Sequence, residues 1–224
     1  MGDGALPNAF SFEEWVKYVF DHPTEPPERW WSSSAIDWGE EANPERTLEY
    51  LIRLFSEPEF LITRFSRAQI DQGLAFVTSS WNHMFVWREE KIPWPERRRG
   101  LDAMIPLYIK LLAPVYGDDR GWGQSSPSER PTFACYMWWE NIPLYGGLEH
   151  PDRDRINDAV LHVFEEVLKM DSEACLESVI HGLGHWFLYL PERTTPLILR
   201  FLERTDISPG LRRYATNALT GEIL

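Results

Sequence analysis

Cys175-Leu-Glu-Ser-Val-Ile-His-Gly-Leu-Gly-His-Trp186 is the stretch on which the reading of this chain turns. A weaker copy of its pattern returns 36 residues later as Leu211-Arg-Arg-Tyr-Ala-Thr-Asn-Ala-Leu-Thr220. Superposing Cys175 on Leu211 places Val179 on Ala215, Gly182 on Ala218 and Leu183 on Leu219. Small or apolar residues thus recur where two helices would have to approach closely. The same stretch carries Glu177, His181 and His185 in successive four-residue steps, which puts them on roughly one helix face. It therefore reads both as helix packing and as a cluster of two histidines and a carboxylate.

Working outward, helical signals flank the stretch on both sides. Ser172 caps its helix, which is predicted to run to about Tyr189. Asp152 to Met170 precedes it, with Ile156, Val160, Val163, Phe164, Val167 and Leu168 on one face, while Thr195 to Arg204 and Ser208 to Leu219 follow. Upstream, Ser11-Phe-Glu-Glu14 and Ser66-Arg-Ala-Gln69 are capping boxes, and Asn43-Pro44 supplies an N-cap with a preset first turn. The second box opens a long predicted helix through Ile70, Leu74, Val77, Trp81, Phe85 and Val86. Pro106 should kink or divide the helical segment from Glu96 to Leu112. Gly117 to Pro131 reads as a loop, and Phe133 to Trp139 as a buried helix ended by Asn141-Ile-Pro143. No period-two alternation of useful length occurs, so the predicted class is all-α.

From Asp152 to Leu224, the small-residue pattern followed by a second amphipathic helix, Pro196-Leu-Ile-Leu-Arg-Phe-Leu202, resembles HEAT-like repeat proteins. The resemblance implies stacked antiparallel helix pairs, as a HEAT-like α-solenoid or a compact α-α superhelix, with a concave surface for a partner. It implies no catalysis and transfers no site residue. The 36-residue period is shorter than the usual HEAT spacing of about 40 or more residues. One all-helical domain over residues 1–224 is expected, weakly divided into 1–116, a 117–131 loop and 132–224.

Charge narrows the function classes. The formal net charge is −13, from 35 acidic and 22 basic side chains, which disfavours nucleic acid and anionic membranes and favours a basic protein partner. The one dense basic run, Arg97-Arg98-Arg99, reads as a solvated helix end. Cys135 and Cys175 lie in apolar surroundings without metal-type spacing, so buried reduced thiols are expected. The start of the chain lacks a signal-peptide pattern and no apolar run is long enough to span a bilayer, which together suggest a cytoplasmic protein. Oligomeric state is not legible.

Among chemical constellations, His181 and His185 have the i, i+4 spacing that lets two imidazoles share an ion. Glu177 lies about 12 Å along the helix from His185, too far for one ion to engage all three, so further ligands would come from a neighbouring helix, with His162 and Glu166 as candidates. The structural alternative has these histidines hydrogen-bonding adjacent helices. His150-Pro-Asp152-Arg-Asp154 lacks the rest of a calcium loop, and neither Gly121-Trp-Gly123 nor His181-Gly-Leu-Gly184 has the strand context of a phosphate loop. Trp122, Trp138, Trp139 and Glu140 are candidates for a partner- or ligand-binding aromatic face. The favoured expectation is a non-enzymatic protein-binding module with an acidic, partly aromatic surface, one form being an immunity-type inhibitor of a basic partner. The alternative is a small metal-dependent or carboxylate/histidine hydrolase with its site at Glu177, His181 and His185. No cofactor is predicted, a divalent metal being the one open possibility.

Overall fold

Every regular element among the described residues of the computed structural model is helical; these are residues 10–24, 43–79, 83, 85–117 and 133–223. In chain order they are α1 (Phe12–Phe20), α2 (Pro44–Ser56), α3 (Phe60–Arg64), α4 (Arg67–Ser79), a 3-10 turn (Val86–Arg88) and α5 (Trp94–Asp102). There follow α6 (Met104–Leu107), a π-helical turn (Tyr108–Leu112) and α7 (Ala113–Tyr116). The last group is α8 (Phe133–Tyr136), α9 (Trp138–Asn141), α10 (Arg153–Val167), α11 (Glu173–Phe187), α12 (Pro191–Leu202) and α13 (Pro209–Ala218). The all-α expectation holds.

Local chemistry sets the helix starts. At α1 the Ser11 backbone N–H donates to Glu14 Oε2 at 2.8 Å while the Glu14 N–H donates to Ser11 Oγ at 3.4 Å. Ser66 and Gln69 make the same reciprocal pair at 3.0 and 3.3 Å. Asn43, Ser172 and Ser208 each accept a first-turn N–H, satisfying donors that the helix cannot. α12 begins at Pro191 rather than near Thr195, because a proline at the first helical position gives up an N–H that would be unpaired anyway.

Three segments depart from their expected form, the first being Phe133 to Trp139, which breaks at Met137 into α8 and α9. Phe85 and Val86 do not extend α4; Val86 begins the separate 3-10 turn, and Trp81 lies outside the described residues. The passage through Pro106 is divided at Ala103, as proline chemistry requires, and then widens: the Ala113 N–H bonds to Tyr108 O, five residues back. Pro114 follows at once with no N–H to offer, so the helix shifts register just ahead of it. The predicted loop lies outside the described residues from 118 onward, and with it Trp122.

Packing is organised around α11. Its residues from Ala174 to Gly184 are all buried, as is Trp186, and it touches α7, α8, α9, α10, α12 and α13. One contiguous apolar cluster runs from Phe12 to Ile223 and includes helices from both sides of the 118–132 segment. The pairs matched by superposing the two sequence copies meet in this core: Cys175, Val179, Leu183, Leu211, Ala215 and Ala218 are buried, and α11 and α13 lie side by side. Close approach at Gly182 is obligatory, since a Cβ there would stand 2.9 Å from Trp139 Cβ and 3.0 Å from its Cγ.

The basic run is only partly a solvated helix end. Arg98 pairs with Asp102 at 2.8 Å and Arg99 with Glu96 at 2.9 Å on the surface. Arg97 is instead buried, donates to Ile92 O at 3.0 Å and pairs with Asp152 ahead of α10. Adjacent residues on a helix point about 100° apart, so one of three consecutive arginines can enter the core while its neighbours stay wet.

Two outcomes follow from this packing. Gly182→Ala should lower the melting midpoint by several degrees, because displacement of the Trp139 Cβ, anchored at its own backbone, costs about 1–3 kcal/mol and outweighs the roughly 1 kcal/mol helix-propensity gain. His83 is buried, accepts from Trp15 Nε1 at 3.2 Å, and burial lowers its pKa to about 4 from 6.5. The unfolded chain therefore takes up a proton before the folded one does. Stability held above pH 6.5 is lost as pH falls toward 4, by roughly 3 kcal/mol from this group, and His83→Gln should flatten that part of the urea-midpoint profile.

Candidate metal centre

His181 and His185 lie one helical turn apart on α11 and direct their Nε2 atoms at the same place, 3.2 Å from each other. The third group comes from α9. Because Gly182 has no side chain, Trp139 lies directly over α11, and the next residue, Glu140, reaches the histidines. Glu140 Oε2 is 3.2 Å from His181 Nε2 and 3.7 Å from His185 Nε2. Tetrahedral coordination at about 2.0–2.1 Å requires ligand atoms about 3.3 Å apart, whereas octahedral neighbours would be about 3.0 Å apart. The three observed separations admit a common point about 2 Å from each atom, the distance at which nitrogen and oxygen ligands bind a zinc-type ion.

Each of the three residues offers one ligand atom to this cluster: an imidazole nitrogen from His181 and from His185, and a carboxylate oxygen from Glu140. The site is closed on one side and open on the other. The His181 side chain is 5% exposed, while His185 and Glu140 are 41% and 45% exposed, so solvent reaches the centre opposite the core. Burial lowers the pKa of His181 to about 4, with the Glu140 hydrogen bond opposing and His185 reinforcing the shift. The imidazole is thus neutral at ordinary pH, the form in which histidine binds metals.

Behind His181 stand two tyrosines. His181 Nδ1 is 2.7 Å from the Tyr214 hydroxyl on α13, which is 2.7 Å from the Tyr136 hydroxyl on α8. The Tyr136 ring also packs on the imidazole, with centroids 4.3 Å apart. Burial raises the pKa of both phenols, with the negative charges of Glu177 and Glu140 adding to it, so both stay protonated.

Of the site residues read from the sequence, His181 and His185 come together and Glu177 does not join them. The converging group is Glu140, His181 and His185. Glu177 is buried one turn before His181, where its charge acts on the two tyrosine hydroxyls. His162 and Glu166 stay apart from the centre, Glu166 being bound to Lys169 on the surface of α10. Trp138 and Trp139 are 0% and 3% exposed, so they are core residues and line no surface face. Glu140, read as part of an aromatic face, is the third member of the cluster instead. Tyr136 and Tyr214 carry no local signal, since their roles depend on contacts 33 to 78 residues away in the chain. Asp152 is taken up by Arg97, and Cys135 and Cys175 are buried thiols.

Compared with known protein families, curated proteins and solved structures, the chain finds no significant match.

In metal-free protein, His181 should titrate near pH 4, read by NMR of ring-labelled histidine. A midpoint near 6.5 would show an imidazole in contact with water.

Proposed function

We propose that this protein binds a divalent metal of the zinc type at Glu140, His181 and His185 and uses it in hydrolytic chemistry. The observation that supports the reading is the convergence of three ligand atoms about one point, with one side open to solvent. Structural zinc sites close all four positions with protein ligands, whereas catalytic sites keep three and leave the fourth to water or substrate. Two imidazoles and one carboxylate are such a set. A zinc-type ion lowers the pKa of water toward neutrality and polarises a carbonyl or phosphoryl oxygen. The chain's own contribution would be a fixed neutral His181, a more exposed His185 facing the open side, and the negative charge of Glu140.

A basic protein partner is supported only by the net charge of −13, and the burial of Trp138 and Trp139 takes away the aromatic surface on which that reading also drew. No helix among the described residues is long and apolar enough to cross a membrane.

Chelator-washed protein loaded with zinc should retain about one equivalent per chain after desalting, measured by elemental analysis. The cobalt-substituted protein should show the intense visible bands of a tetrahedral ion. His185→Ala and Glu140→Ala, both at half-exposed positions that the core does not need, should lose the metal and any metal-dependent cleavage of activated esters while keeping the helical circular dichroism. Wild-type protein that retains no zinc, cobalt or other divalent ion sinks the reading.

A further inference from the structure

We propose that Tyr214 is the positioning residue of this site, its hydroxyl receiving the Nδ1–H of His181 and so holding that ring in the tautomer whose Nε2 lone pair faces the metal. The proposal rests on the metal reading above. An imidazole offers a metal one nitrogen only when the proton sits on the other, and a partner for that proton fixes both tautomer and ring direction. For the nearly buried His181, the group facing Nδ1 is the Tyr214 oxygen at 2.7 Å, brought in by a different helix. The imidazole and the Tyr214 ring are parallel to within 9°, with centroids 6.5 Å apart.

A hydroxyl suits this place because it both donates and accepts. With metal bound, Tyr214 accepts from His181 Nδ1–H and passes its own O–H to the Tyr136 oxygen 2.7 Å away. Without metal, the His181 proton moves to Nε2, where it bonds to Glu140, and the Tyr214 hydroxyl turns to donate to Nδ1. Loading the ion therefore reverses the polarity of a hydrogen-bond chain from α11 through α13 to α8, with no side chain having to change rotamer. A carboxylate at position 214 would bury a second charge, and a phenylalanine would neither donate nor accept.

Tyr214→Phe removes one oxygen and keeps the ring. Zinc competition against a chromophoric chelator should show affinity weakened about 10- to 100-fold, the usual loss for such a partner. Tyr136→Phe, one bond further away, should weaken binding less. Nitrogen-15 spectra of wild-type protein supply a reading that needs no variant: zinc loading should move the His181 proton from Nε2 to Nδ1 and coordinate the ring through Nε2. Zinc affinity in Tyr214→Phe equal to wild type, or coordination of His181 through Nδ1, overturns the role of Tyr214. Failure of wild-type protein itself to bind zinc overturns the metal reading instead.

Discussion

The burial of α11 on all sides is the constraint on which the rest of the structure depends. A helix that is apolar around most of its circumference is stable only when other elements cover it, and α7, α8, α9, α10, α12 and α13 do so. Close cover requires small residues. At Gly182 the Trp139 side chain occupies the space of a Cβ, and at Gly184 the side chain of Ile223 does the same. The polar residues that remain on such a helix must find partners within the protein. Ser178 donates to Cys135 O at 2.6 Å and the Tyr108 hydroxyl then donates to Ser178 Oγ at 2.8 Å. His181 meets Glu140 and Tyr214 under the same requirement.

Packing and chemistry are therefore joined at the same residues. The glycine that admits Trp139 is the one that delivers Glu140, and the helix that matches α11 in the sequence repeat delivers Tyr214. Treating the stretch from Cys175 to Trp186 as either a packing element or a chemical one separates two aspects of one arrangement. A buried histidine costs less when it stays neutral and hydrogen-bonded at both nitrogens, as His181 is with Glu140 and Tyr214.

Much of the helical framework was legible because its causes are local. Capping serines, the Asn43-Pro44 start and the division near Pro106 act within about one turn of chain, so residue order alone announces them. The spacing of His181 and His185 was legible for the same reason. Where local reading failed, a distant partner decided: Arg97 leaves the basic run for Asp152, 55 residues away, and Glu140 meets His181 across 41 residues.

The sequence by itself determined an all-α chain, the positions of most helix starts, the close-packing face of α11 and a pair of histidines able to share an ion. Only the tertiary structure decided which carboxylate joins them. Helical periodicity specifies which residues share a face, whereas the neighbour of that face depends on how separate helices are packed. Glu177 has the matching period but lies about two turns from His185, and Glu140, without any periodic relation, is carried in by the fit of Trp139 over Gly182.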